Sequence, residues 1–158
     1  MGTKDDSSLR THLDNLLCME GAHINFDDAV NGFPARFRGA KPRGAPHSAW
    51  ELLEHMRIAQ EDILDFSRNP GYRDKIFPDD YWPPSAEPPD THAWLQSVQQ
   101  FQSDLAEMRK LIADTSQDLH APIPHGTGQT LLREALLVAD HNAYHLGQLV
   151  FLRKLLEH

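Results

Sequence analysis

Apolar residues recur at helical spacing in four stretches of the chain, and three Pro- and Gly-rich segments separate them. The first stretch covers about residues 8 to 31, where Leu9, Leu13, Leu16 and Leu17 fall on one side of a helix. Gly21 is its weak point, because Gly in a helix interior costs about 1 kcal/mol relative to Ala, so a kink or break is expected there. Asn31-Gly32 followed by Pro34 stops it. The second stretch opens with the clearest start signal in the chain. Ser48-Ala49-Trp50-Glu51 reads as a capping box, in which hydroxyl and carboxylate satisfy free backbone N–H groups. Its stripe is Ala49, Leu52, Leu53, Met56, Ala59, Ile63 and Phe66, and it ends near Asn69-Pro70-Gly71. The third begins after Pro88-Pro89 with Asp90 or Thr91 as cap, and Trp94, Val98, Phe101, Leu105, Met108 and Ile112 form a heptad-like stripe suited to a bundle core. The fourth runs from about Thr130 to the C-terminus with two adjacent stripes. One is Ala135, Leu136, Ala139, Ala143, Leu146 and Val150; the other is Val138, His141, His145, Leu149, Leu152 and Leu156. An apolar arc this wide predicts the most buried of the four helices.

No stretch alternates as a half-buried strand would, and no repeat is visible. The expectation is an all-α four-helix bundle, one domain over residues 1–158. The connections 32–47, 67–89 and 114–129 exceed what a simple up-down-up-down order requires, so crossover loops are expected. The 72–89 segment, with Tyr81-Trp82-Pro83-Pro84, is too aromatic for an idle linker and is expected to pack across one end of the bundle.

Charge narrows the partners. With 15 Lys and Arg against 23 Asp and Glu, the net charge is −8, so the phosphate backbone of nucleic acid offers no attraction. No basic run suits an anionic membrane surface. Cys18 is the single cysteine and sits in an apolar pattern, which predicts a small core residue and no internal disulfide. With no signal peptide and no apolar run of about 18 residues, a cytoplasmic location is expected. His158 ends a Leu-Glu-His sequence that matches a vector-encoded tag stub and carries no weight below.

The candidate chemistry lies on helical faces. His141 and His145 stand one turn apart, about 6 Å along the axis, so two imidazoles can converge on one ion. In a chain with 10 His, chance alone supplies about 0.6 such pairs. Position adds weight: both lie on an apolar stripe, and His55 lies on the same side of the second helix as Leu52 and Ala59. A buried imidazole must find a partner, since an unpaired buried polar group costs about 1–3 kcal/mol. Three on facing helices can meet that need through one cation, or each can bond a carbonyl or carboxylate. A zincin would need Glu where Asn142 stands. A di-iron carboxylate bundle would need two Glu-x-x-His elements, and only Glu20-Gly21-Ala22-His23 has that spacing. Asp140, Tyr144 and Gln148 are candidates to orient the imidazoles or meet substrate, against the alternatives of a solvated Asp140 and a packing Tyr144. Arg57 could hold an anionic substrate group, although a surface arginine is the plainer expectation. His47 is expected at the site mouth or simply in its loop; His12, His92, His120 and His125 read as surface residues.

The segments His47-Ser48-Ala49-Trp50-Glu51-Leu52-Leu53-Glu54-His55-Met56-Arg57 and Asp140-His141-Asn142-Ala143-Tyr144-His145-Leu146-Gly147-Gln148 resemble the DinB-like superfamily, as do the helix order and long loops. The resemblance implies an unusually connected four-helix bundle and one divalent metal ion, often zinc or nickel. Its ligands would be His55, His141 and His145. Relatives include transferases and an isomerase that use low-molecular-weight thiols, others bear only the label of metal-dependent hydrolase, and dimers are common. It therefore implies a small-molecule substrate, a possible thiol cosubstrate and a homodimer, with a hydrolase or a non-catalytic metal-binding stress protein as alternatives. The three-His set has no Glu base beside it, and a metal-bound thiol, which ionises outright, needs none.

Overall fold

The computed structural model describes residues 4–19 and 21–158. Its helices are α1 (Lys4–Leu17), α2 (Phe26–Val30), α3 (Ala49–Arg68), α4 (Ala93–Ala113) and α5 (Leu131–Glu157), with single 3-10 turns at Ala35–Phe37 and Asp79–Tyr81 and no strand among the described residues. The protein is all-α. No helix among the described residues is long and apolar enough to cross a membrane.

The break expected near Gly21 occurs: α1 stops at Leu17, Gly21 takes φ 112°, and α2 restarts at Phe26 under an Asn25 cap. Glu20, and with it the Glu-x-x-His spacing, lies outside the described residues. Leu13 and Leu17 are buried, but Leu16 is exposed, and Cys18, one residue past the end of α1, is only half-buried.

The capping box of α3 is present in full: Glu51 N–H donates to Ser48 Oγ (3.1 Å) and Ser48 N–H to Glu51 Oε2 (2.7 Å). Thr130 caps α5 by accepting from Arg133 N–H. At α4 the expected cap shifts. His92 is the N-cap and makes no side-chain cap bond, while Asp90 Oδ1 accepts from the N–H groups of both His92 and Ala93 at 2.8 Å. An Asx turn thus supplies the acceptor from two residues upstream.

The bundle order is not up-down-up-down. α3 packs against α4 and α5, and α1 packs against the same two, so the consecutive long helices α1 and α3 sit across a diagonal. The apolar core falls into two halves. One is built on Trp50, Leu53, Met56, Phe101 and Leu149, and the other on Leu17, Leu64, Met108, Ile112 and Val138. α5 is not the most buried of the long helices, contrary to what its composition suggests: α3 is buried over a larger share of its length, and Leu136, Tyr144, Phe151 and Leu155 of α5 are exposed. Its two main neighbours, α1 and α3, cover only part of its apolar arc.

Candidate metal centre

The α3–α5 seam places three imidazoles together at mid-helix. His55, His141 and His145 offer ring nitrogens that all lie within 4.8 Å of one another. His55 and His145 are buried and His141 nearly so. The rings meet edge to face, with centroids 4.5–4.9 Å apart.

Hydrogen bonds fix which nitrogens face inward. His55 Nδ1 lies 2.8 Å from the Tyr81 carbonyl oxygen. A carbonyl only accepts, so Nδ1 carries the proton and Nε2 presents a lone pair. His145 Nδ1 lies 2.7 Å from Gln148 Oε1, with the same consequence. His141 Nε2 is 3.0 Å from His55 Nε2. If His141 Nε2–H donated there, its Nδ1 would become a bare acceptor, and that atom is buried without a partner. If Nδ1 carries the proton, two lone pairs face each other. Neither tautomer satisfies the ring within the protein, and a cation among the three nitrogens would relieve the inward conflict.

Electrostatics agree. Burial first, and the neighbouring imidazoles second, push the His141 pKa down to about 4. Burial is also the largest cause lowering His55 and His145, opposed by their bonds to Tyr81 and Gln148. All three rings are therefore neutral at pH 7, the form that binds a metal. The donor set, three neutral nitrogens within reach of one point, suits a divalent transition-metal ion.

The 72–89 segment closes over this cluster. Trp82 lies face to face on His55 (3.8 Å, 1°) and His47 stacks on its other side (4.1 Å, 18°). His47 therefore stands at the site margin, separated from His55 by the Trp82 ring. A recess of about 450 Å³ opens on the three imidazoles, walled by Ala59, Ile63, Phe77, Trp82 and Leu137, with Asp62 and Tyr81 also lining it.

The other candidates separate clearly. Gln148 touches the cluster directly through His145. Tyr144 is exposed, with its ring edge-on to His145 at 4.8 Å. Asp140 is exposed. Arg57 is out of place for a substrate anion: two residues beyond His55 it points about 200° away, and its guanidinium is engaged by Glu54 and Glu61. His12, His92 and His120 are exposed as expected, but His125 is half-buried, its Nε2 2.7 Å from the Phe66 carbonyl oxygen.

Sequence reasoning missed Asp62. It lies seven residues after His55, on the side of α3 that carries Ala59, Ile63 and Phe66. A carboxylate on an apolar stripe was the available signal. It is buried and accepts from Tyr72 OH (3.0 Å) and Tyr81 OH (2.6 Å).

No curated protein and no solved structure matches the sequence. The sequence profile of the DinB superfamily matches residues 19–149, a span that contains α3, α4, the 72–89 segment and all three clustered histidines. Four long helices in crossed order, a His in the second of them and a His-x3-His pair in the fourth agree with that match, and the chain belongs to the DinB superfamily.

Proposed function

We propose that the protein holds one zinc or nickel ion on His55, His141 and His145 and transfers a low-molecular-weight thiol to an electrophilic small molecule. The observation that carries this reading is the recess of about 450 Å³ opening directly on three neutral imidazoles. A structural metal site is closed, whereas a catalytic one keeps an open position facing a cavity. A divalent ion held there would lower the pKa of a thiol or water to the point of ionisation.

The protein's own groups do the rest. The Tyr81 carbonyl and Gln148 hold the His55 and His145 rings with their bare nitrogens inward. Trp82, Phe77 and Leu137 line the recess with apolar surface against which the apolar part of a small electrophile can pack. Thiol transfer is favoured over hydrolysis by the state of Asp62, the carboxylate in the lining. Both its oxygens are engaged by phenols, which leaves it poorly placed to activate water. A reducing cytoplasm, where such thiols are abundant, is the proposed location.

The test is turnover of an electrophile such as monobromobimane by metal-loaded protein, with and without cysteine-derived thiols. Rate enhancement that needs both thiol and metal is expected. Turnover of ester or amide substrates without thiol would replace the reading with a hydrolase. Tight metal binding with no turnover of either kind would leave a non-catalytic metal protein.

A further inference from the structure

We propose that Asp62 is a positioning residue for the His55 ring, acting through Tyr81. The chain of contacts is short and continuous. Asp62 Oδ2 accepts from Tyr81 OH at 2.6 Å, and the carbonyl of the same Tyr81 accepts from His55 Nδ1 at 2.8 Å. The next residue, Trp82, lies parallel to the His55 ring at 3.8 Å. Asp62 and His55 stand seven residues, about two turns, apart on one helix, so α3 acts as a rigid rule between the clasp and the ring.

A buried carboxylate is costly unless its oxygens are satisfied. Here two phenols satisfy them, one on each oxygen, and both phenols come from the 72–89 segment. Burial and the bond to Asp62 raise the pKa of both tyrosines, so they remain neutral donors. The segment has a second anchor, since Ser48 Oγ donates to the Ala86 carbonyl oxygen at 2.6 Å. Loss of the Asp62 clasp therefore frees the part that bears Tyr81 and Trp82 without detaching the whole connection. What the clasp sets is which nitrogen of His55 carries the proton and where its lone pair points. Loss of the outer partner of a metal-binding imidazole typically weakens metal affinity about 10–100-fold, which bounds the effect of loosening the Tyr81 carbonyl that fills that place for His55.

The inference about ion affinity rests on the three-His reading; the inference about the tautomer does not. The experiment follows both. Long-range 1H–15N spectra of metal-free, 15N-histidine-labelled protein at pH 8 report the His55 tautomer, and chelator competition reports Co²⁺ affinity. The wild type is expected to show a single Nδ1–H form at His55. Asp62→Ala and Tyr81→Phe are expected to give a mixture of tautomers and a loss of Co²⁺ affinity of about 10-fold, the lower end of the range for losing the partner outright. Asp62→Asn retains an acceptor for one phenol and is expected to recover part of both. Tyr72→Phe removes a bond of the same kind that does not lead to His55, and is expected to leave the tautomer intact. Unchanged tautomer and affinity in folded Tyr81→Phe and Asp62→Ala proteins would overturn the proposal. So would equal effects of Tyr72→Phe and Tyr81→Phe, which would mean general loosening. If Asp62→Ala does not fold, the two Tyr→Phe variants decide, since each removes one hydroxyl. If the wild type binds no Co²⁺, the metal reading fails, and the tautomer still decides the role of Asp62.

Discussion

Two polar clusters share the seam between α3 and α5, and neighbouring residues of α5 belong to different ones. Asn142 Nδ2 donates to Gln60 Oε1 (2.9 Å), and Gln60 Nε2 donates to the Phe101 carbonyl oxygen on α4 (2.8 Å). Both side chains are about 99% buried and neither lines the recess. One position away, His141 joins His55 and His145, where the protein engages the outward nitrogens of two rings and leaves the inward ones bare. The amides bond one another and the backbone and tie three helices together, and the one atom they leave unpartnered, Asn142 Oδ1, stands alone and away from the recess. The imidazoles point their bare nitrogens at one place and at a cavity. Burial of polar groups alone therefore does not mark a site; convergence of unengaged lone pairs on an open space does.

The largest effect expected from this contrast is on metal. His145→Ala removes one of three ligands and is expected to reduce bound zinc from about one ion per chain to a trace, with affinity lowered at least ~100-fold. Elemental analysis after dialysis measures it. Stoichiometric zinc in a double His55→Ala/His145→Ala variant would make the cluster a set of core histidines and erase the contrast.

Next is the amide lock. Asn142→Ala leaves Gln60 Oε1 buried without its donor and is expected to destabilise the fold by about 1–3 kcal/mol. Metal stoichiometry should stay that of the wild type, because Asn142 makes no contact with the three rings. Urea unfolding beside elemental analysis separates the two outcomes. Loss of metal from a folded Asn142→Ala protein would merge the clusters into one site.

The two clusters were unequally legible. The capping box at Ser48, the heptad-like stripe of α4 and the polarity of two histidines on an apolar face of α5 are local patterns, and each marks its element. The partners that finish the site are not local. Tyr81 contributes a backbone carbonyl, a group every residue has, and Trp82 reaches His55 only because a connection folds back on α3. The same blindness to tertiary cover explains α5, whose composition reads as buried while Tyr144 and Phe151 face out. Arg57 failed for a geometric reason visible in the sequence itself: a residue two positions from a ligand cannot share its face of a helix.

The third effect is on acid stability and follows from the imidazoles alone. His141 has a folded pKa near 4 against an ordinary 6.5. Above pH 6.5 the ring is neutral in both states and contributes no slope. Between 6.5 and about 4 the unfolded chain binds a proton that the folded one resists, so metal-free protein loses stability as pH falls through that window. Below it both states are protonated and the slope from this group ends. His55 and His145 act in the same direction. A bound cation competes for the same lone pairs, so zinc should shift the loss to lower pH. Urea midpoints from pH 7.5 to 4.5 with and without zinc check this; a metal-free profile that His141→Ala leaves unchanged would exclude the ring as its source.

The smallest effect probes the converse case, a buried group that is unengaged yet stands alone. Asp104 is buried on α4; Gln100 donates to its Oδ1 at 2.9 Å, and its Oδ2 has no partner. Burial raises its pKa, the Gln100 bond opposes that, and the charges that act on it, Glu61, Arg57 and Arg68, come from α3. Folding thus disfavours the ionised form relative to the unfolded chain, so an ionised, half-satisfied carboxylate here costs stability. Asp104→Asn keeps the shape and the Oδ1 acceptor and removes the charge, at the cost of placing an NH2 group where Oδ2 has no partner. It is expected to stabilise the protein by about 0.5–1 kcal/mol at pH 7, a gain of the order of one hydrogen-bond-sized electrostatic term. The sign fixes the pH dependence. Because the folded pKa is raised, the cost to the wild type appears as pH rises through the window above the ordinary 3.8 and is absent below it, so the advantage of Asp104→Asn should fade in acid. Thermal unfolding of both proteins at pH 7 and near pH 4 measures this. If Asp104→Asn instead destabilised at pH 7, the amide NH2 buried without an acceptor would cost more than the lone charged oxygen it replaces, and the unengaged atom would still mark no ligand.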